Sequence, residues 1–322
     1  MNKQWIKIFY NKLIEAESSG SSKEVYKCLK YKKQHLPRYI YKYRSCNKNS
    51  FNDLFHNFVH LSYPTAFNDS LDCSSVCTFE QAMLLSLLNN KSKHEDNDKF
   101  FSCLEKHFWS EEYKEYVKSE LLKGKSYKPI LVNRIQEMGA FSKWEAQNYY
   151  KHFKKDIDIQ VLELGNNYKK EMLLCCFAAT VKNNLMWSHY TNSHSGFCIE
   201  YDISLLDKNE QFLHALYPII YSKTPILSNI QACFYTDQTK DMLTIMNKSS
   251  DWSYEQEYRL FCPPEFDQDY FMPILPSRIF LGLNINNKDS EKILKFAKKY
   301  HIEVRKMKIN ASSFNLSHER IY

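Results

Sequence analysis

Glycine is nearly missing from this chain. Six occur in 322 residues, where about 7% is usual, and no two stand close enough to form GxGxxG or GxxxxGK[ST]. Both of those phosphate-binding folds need glycine backbone to approach a pyrophosphate. A Rossmann dinucleotide fold and a P-loop are therefore set aside. What remains is well supplied for a core: 43% of residues are apolar, and 23 Tyr, 21 Phe and 5 Trp add aromatic bulk. The length corresponds to two ordinary domains or to one large domain with insertions. Only seven of the 44 basic residues are arginine. With Lys, Asn, Ile, Tyr and Phe abundant, part of the composition reflects an AT-rich gene.

The net charge of +7 permits contact with RNA, DNA or another anionic surface, although a moderate lysine excess is also an ordinary solvated surface. The ten cysteines include no CxxC pair, and several sit in apolar, strand-like runs. Free buried thiols in a reducing compartment fit this usage. The first twenty residues mix Lys, Asn, Glu and Gln into their apolar positions and lack a signal-peptide core. The longest apolar run, Met172 to Ala179, is far shorter than the roughly 20 residues of a membrane span. The expectation is a cytoplasmic protein with no membrane partner.

Trp5, Ile8, Phe9, Leu13 and Ile14 recur at helical spacing and predict a leading helix, with a hinge at Glu17 to Ser22, so that residues 1–22 stand apart. The main body, 36–322, opens with a strand at Tyr39 to Arg44, a short helix from Ser50 to Phe58 and a second strand from Val59 to Tyr63, which Pro64 ends. From about Phe79 to Gly165, Leu, Phe, Tyr and Trp recur at three- and four-residue spacings among Lys and Glu, which predicts an inserted set of amphipathic helices. Strands return at Met172 to Thr180, Gly196 to Asp202, Leu216 to Tyr221, Glu257 to Cys262, Arg278 to Leu283 and Glu303 to Ile309, with a helix at Lys288 to Tyr300. The fold class expected is α+β: a mostly antiparallel sheet built from both ends of the chain, with a helical insertion.

The segment Trp252 to Phe261 carries the most chemistry. Read as extended, it places Glu255, Glu257 and Arg259 on one face and Gln256, Tyr258 and Leu260 on the other. Three charges on one face require water or a site, and an acidic pair can serve a cleft that stabilises a developing cation. The strand Gly196 to Asp202 repeats the pattern with Cys198, Glu200 and Asp202. Just upstream of that strand, Met186-Trp-Ser-His-Tyr190 fits neither simple period; its His189 is a candidate general base or a structural hydrogen-bonder. On Tyr41-Lys-Tyr-Arg-Ser45, Lys42 and Arg44 oppose Tyr41 and Tyr43, and a guanidinium can clamp a phosphate bidentately. Metal readings are weaker. His56 and His60 lack the HExxH glutamate, and Cys73 with Cys77 lacks a companion pair. Asp69, Asp72, Glu200, Glu255 and Glu257 are a conceivable Mg²⁺ set. GxSxG is absent.

The ordered set Lys42-Tyr-Arg-Ser45, Phe67-Asn-Asp69, Cys176-Phe177, Met186-Trp-Ser-His-Tyr190, Gly196 to Asp202, Trp252 and Glu255-x-Glu-Tyr-Arg259 resembles a bacterial family defined only as a domain of unknown function and often found near mobile and defence genes. The resemblance runs from about Arg38 to Phe314. Ser70 departs from it, since the family usually has Pro after Asn-Asp. An early-strand Arg, a Ser or Tyr on the next strand and Glu-x-Glu on a later strand also resemble the layout of ADP-ribosyltransferases, which bind NAD in a split-sheet cleft without GxGxxG.

That second resemblance implies NAD as substrate and no metal. Arg44 would hold the NAD phosphates or nicotinamide ribose, Ser62 would support the strand beside nicotinamide, and Tyr63 would offer a stacking surface. Tyr43 and Trp187 are further candidates for cofactor binding. Glu257 would stabilise the oxocarbenium-like transition state, Glu255 would orient or deprotonate the acceptor, and His189 is an additional acceptor-side candidate. Ser62 is the loosest match, because Leu61-Ser-Tyr63 is not a Ser-Thr-Ser motif. The implied activity is ADP-ribosyl transfer to RNA, another nucleic acid or protein by a defence or toxin–antitoxin effector, restrained by an antitoxin or inhibitor protein. The alternatives are an NAD glycohydrolase, a metal-dependent nuclease and a non-enzymatic ligand sensor.

Overall fold

The structure, a computed structural model, describes residues 4–73, 172–206, 210–228, 237–262, 271–310, 313 and 315–322, with short stretches between 115 and 170. The chain divides into two compact units: residues 1–72, 169–223 and 246–322 form one, and residues 73–168 with 224–245 form the other. The helical insertion expected at Phe79 to Gly165 falls almost wholly outside the described residues. Among the described residues, no helix is long and apolar enough to cross a membrane. Six cysteines there, Cys28, Cys46, Cys73, Cys175, Cys176 and Cys198, are free thiols.

The first unit begins with a helical hairpin. Helix α1 (Gln4–Ser18) buries Phe9, Tyr10, Leu13 and Ala16, the stripe that its spacing predicts. Gly20, at φ +65°, turns the chain, and Ser21 caps α2 (Ser22–His35) by accepting from the Glu24 amide. Sequence reading did not anticipate α2, because its lysines mask its apolar stripe. One of them, Lys32, is wholly buried. Its ammonium donates to the His214 carbonyl at 2.6 Å and lies 3.7 Å from the centre of the Tyr217 ring.

Among the described residues the further helices are α3 (Lys48–Phe55), α4 (Asn184–Tyr190), α5 (Glu210–Ala215), α6 (Asp237–Met246), most of which belongs to the second unit, and α7 (Asn287–Tyr300). The strands among the described residues are β1 (Tyr39–Arg44), β2 (Phe58–His60), β3 (Leu173–Ala178), β4 (Phe197–Asp202), β5 (Leu216–Pro218), β6 (Ile220–Ser222), β7 (Asn247–Ser249), β8 (Glu257–Cys262), β9 (Phe271–Pro273), β10 (Arg278–Leu281), β11 (Glu303–Ile309) and β12 (Leu316–Arg320). Eight of them form one open sheet in the order β12-β11-β10-β4-β1-β3-β8-β5. Its neighbours are antiparallel except β10 and β11, which α7 connects, as a parallel pair requires a crossover. The fold is thus α+β with a mostly antiparallel open sheet.

Alternation along the strands builds two apolar layers. Ile40, Phe177, Phe197, Ile199, Leu260, Ile279 and Val304 pack on one face with Phe51 and Leu54 of α3 and Ile293 and Phe296 of α7. Tyr43, Ala178, Cys198, Phe280, Met307 and Leu316 pack on the other with Met186 and Trp187 of α4.

Several expectations are corrected. Leu216 to Tyr221 is two strands: β5 joins the large sheet while β6 pairs with β7 in a separate two-stranded sheet, the chain breaking at Ile219, whose amide donates to the Glu257 carbonyl. The expected strand Val59 to Tyr63 is only β2, which pairs with β9 outside the large sheet, plus one bridge from Ser62 to Leu174. Trp252 to Phe261 is not continuously extended. A 3-10 helix spans Ser250–Glu255, Gln256 adopts a left-handed conformation, and β8 begins at Glu257. Finally, β12 was not foreseen, since Leu316 is its one buried position.

Between β1 and β3 the ladder is interrupted. These two six-residue strands are paired only at Tyr41 and Ala178, whereas β1 pairs with β4 along its whole length and β3 with β8 likewise. Side chains reach across instead: the Lys42 ammonium donates to the Cys176 carbonyl at 2.8 Å and the Tyr43 hydroxyl to the Thr180 carbonyl at 2.8 Å. Further along the same edge of β3, Ser62 and Leu174 exchange backbone hydrogen bonds of 2.8 and 3.0 Å.

Candidate functional site

A cavity of about 310 Å³ lies at this interruption. Strand β1 contributes Tyr41, Lys42, Tyr43 and Arg44, and the chain entering α3 adds Ser45, Asn47 and Ser50. Ser62 and the turn Ala66 to Asp69 form another wall, and β3 supplies Cys176 to Ala178. Met186 and Tyr190 come from α4, one helical turn apart and hence on one face. Asp72, Lys248, Trp252, Glu255 and Glu257 complete the lining.

The carboxylates belong to a buried charge cluster. Asp72, Lys248, Glu255, Glu257 and Arg259 are 3, 8, 3, 5 and 0% exposed. Antiparallel register opposes Glu257 to Ala178 and Arg259 to Cys176, so both charges fall on one face of β8, as alternation predicts. Glu255 reaches the same place from the end of the 3-10 helix, because left-handed Gln256 turns the chain between the two glutamates. Arg259 donates to Glu257 Oε1 at 2.7 Å and to Asp72 Oδ2 at 2.6 Å. Lys248 Nζ lies 2.6 Å from Glu255 Oε2, 3.1 Å from Glu257 Oε2 and 3.2 Å from Asp72 Oδ2. The Tyr190 hydroxyl donates to Glu255 Oε1 at 2.5 Å.

The two glutamates are thereby driven apart electrostatically. Burial acts to raise the Glu257 carboxyl, but Arg259 and Lys248 outweigh it and hold the group below the usual carboxylate range. Burial also raises Glu255, the Glu257 charge adds to that, and Lys248 opposes both without reversing the shift. Burial followed by the Glu257 charge pushes the Cys176 thiol up, which makes it a poor nucleophile.

Lys42 and Arg44 provide positive charge in the same cavity. Among the described residues Lys42 forms no ion pair; its ammonium donates to the Cys176 carbonyl and lies 5.7 Å from the centre of the Phe177 ring. Arg44 pairs with Asp53 through Nη2 at 2.7 Å, while its Nε is buried with no hydrogen-bond partner there. A buried charged donor left in this state beside a cavity points to an acceptor group on a ligand.

Of the residues expected from sequence, Arg44, Tyr43, Ser62, Glu255 and Glu257 line this cavity together. Tyr43 has committed its hydroxyl to Thr180 and meets Trp187 edge-on at 5.3 Å. Trp187, His189 and Tyr63 do not line it. Trp187 is fully buried and donates to the Val181 carbonyl at 2.6 Å, which makes it core. His189 faces outward from α4, its ring 6.2 Å from that of Tyr254. Tyr63 stands immediately before the 3-10 turn Pro64–Ala66. Glu200, expected on a second polar strand face of the cleft, instead binds Tyr41, Ser277 and Arg278; every residue of β4 is buried. Sequence reading did not single out Lys248, the group on which the carboxylates converge. The available signal was the carboxylate cluster itself, which demands counter-charge when buried.

A family described as a protein of unknown function (DUF2971) matches residues 186–260. The match contains α4 from Met186 onward, Lys248, both glutamates and Arg259, and does not reach β1 or Ser62. No curated protein matches the chain, and no solved structure matches it.

Proposed function

We propose that the cavity binds NAD as a substrate and that the protein cleaves its nicotinamide–ribose bond, passing ADP-ribose to an acceptor. The observation that carries this reading is a single cavity, at a gap between two sheet strands, faced both by Lys42 and Arg44 and by the Glu255–Glu257 pair. The cations suit phosphate oxygens. The carboxylates suit a ribosyl centre that becomes positive as the bond breaks. At about 310 Å³ the cavity is at the small end of ligand pockets, so it accommodates one half of a dinucleotide.

In this reading the C1′–N bond breaks with its electron pair moving to the pyridinium nitrogen, and neutral nicotinamide leaves. Glu257, kept ionised by Arg259 and Lys248, stabilises the cationic sugar. An acceptor hydroxyl attacks C1′ and its proton passes to Glu255, whose raised affinity for protons suits that role. Water as acceptor would give a glycohydrolase. The net charge of +7 favours RNA over protein as the macromolecular acceptor. A metal-dependent nuclease is less well supported, because Asp72, Glu255 and Glu257 converge on the Lys248 ammonium.

The test is nicotinamide release from NAD by wild type and Glu257→Gln, with and without total bacterial RNA or lysate. Release that needs Glu257 and labels RNA or protein establishes a transferase, and release without label a glycohydrolase. No release by folded protein under any of these conditions overturns the reading.

A further inference from the structure

We propose that Lys248 is a positioning residue of this site: its ammonium fixes Glu255 beside Glu257 and keeps Glu255 ionised, able to take the acceptor's proton. This rests on the NAD reading above and assigns a role to a residue that the transferase resemblance does not include.

The two glutamates differ in what neutralises them. Glu257 has Arg259 on both oxygens and Lys248 on Oε2. Among the described residues the only cation bonded to Glu255 is Lys248, and its other oxygen takes the Tyr190 hydroxyl. Two buried carboxylates that meet with no cation between them tend to share one proton. Lys248 is where that sharing is prevented.

The position of Lys248 is itself fixed. It sits on β7 opposite Tyr221 of β6. The neighbouring Asn247 side chain donates to the Ile220 carbonyl at 3.0 Å and the Ser222 hydroxyl at 2.7 Å. Its ammonium also lies 5.1 Å from the centre of the Trp252 ring. Among the described residues, the other polar groups around the pair are Asp72 and Arg259, the Tyr221 hydroxyl accepting from the Glu257 amide, the Cys176 thiol on Glu257, and Tyr254, beside Glu255. Of these only Arg259 is a cation, and it is bonded to Glu257 and Asp72.

The test compares wild type, Lys248→Met and Lys248→Arg by the pH profile of nicotinamide release. It also follows the Glu255 carboxyl by carbon-13 NMR titration, assigned with Glu255→Gln. In Lys248→Met the acidic limb of the profile and the Glu255 titration should both move to higher pH, by about one to three units for loss of one close opposite charge. Lys248→Arg should restore both. If Lys248→Met does not fold, Lys248→Gln, which keeps a donor but not the charge, takes its place. A folded, uncharged variant with neither curve moved overturns the proposal, and so does a wild-type Glu255 that is protonated at pH 7. If wild type releases no nicotinamide, the NAD reading fails while the NMR titration still decides whether Lys248 governs Glu255.

Discussion

Replacing Arg259 by leucine is expected to lower the stability of the sheet-bearing unit by about 3–5 kcal/mol, the usual cost of removing one partner of a buried ion pair. The guanidinium is 0% exposed and makes bonds of 2.6, 2.7 and 3.2 Å to Asp72 and Glu257. Leucine would leave three buried carboxylates with Lys248 as their one bonded cation among the described residues. Were the pair exposed, the loss would be no more than about 1 kcal/mol; burial makes the difference, because the stranded carboxylates cannot regain water. They can take up protons, at about 1.4 kcal/mol per pKa unit, so the loss should shrink at acidic pH. The assay is guanidinium unfolding at pH 7 followed by tryptophan fluorescence. Asp72→Asn is introduced into both backgrounds. Because Asp72 becomes a repulsive neighbour once Arg259 is gone, its removal should cost less in the leucine variant, by at least about 1 kcal/mol of coupling. A loss below about 1 kcal/mol, or strictly additive substitutions, would refute the reasoning.

Acid should act on the same cluster. Glu257 is held low in the folded state, so its contribution is complete above the unfolded value of about 4.3 and is lost as pH falls toward the folded one. Glu255, displaced upward, slopes the opposite way, and comparing wild type with Glu255→Gln in thermal melts separates the two; a melting temperature of Glu255→Gln that stays level below about pH 4 would contradict the assignment. Gly282→Ala should destabilise by about 1–3 kcal/mol or more, because a Cβ there would stand 2.2 Å from the His194 carbonyl oxygen; wild-type unfolding curves for the variant would count against this packing. Asn286→Ala should cost about 1 kcal/mol in the same assay, since its side chain accepts from the Asp289 amide at the start of α7. Lys42→Met should weaken NAD binding about tenfold, the loss of one charge-assisted hydrogen bond, in calorimetric titration; an unchanged affinity would remove Lys42 from the phosphate-binding role.

The sheet was legible where side-chain alternation is set by local burial. Tyr39–Arg44 and Glu257–Cys262 were read with the same bounds, and the expected face of Glu257 and Arg259 is the face observed. So was the joint presence of Arg44, Ser62, Glu255 and Glu257 in one cavity. Lys248 was not legible, because nothing in Asn247-Lys-Ser249 marks a buried ammonium; its burial is matched by three carboxylates from two other segments, Asp72 and the Glu255–Glu257 pair. His189 and Trp187 lie off the cavity for a different reason. They share the segment Met186 to Tyr190 with two residues that line the cavity, but helical geometry separates neighbours by roughly 100°. It turns Met186 and Tyr190 to the cavity, Trp187 to the core and His189 outward.

The single paired position between β1 and β3 makes that junction a seam in an otherwise continuous sheet. Every other junction in the large sheet is held by three or more paired positions, whereas here lysine and tyrosine side chains do part of the work of backbone ladder bonds. Parting the strands at the seam therefore breaks fewer paired backbone positions than parting them anywhere else in the sheet, and amide exchange at Tyr43 and Cys176 should outpace that at the equally buried β3–β8 junction. A molecule bound to Lys42 and Arg44 on one bank and to Glu255 and Glu257 on the other would act as a strut across it. Occupancy would then be visible as slowed exchange in the backbone, far from any change in shape.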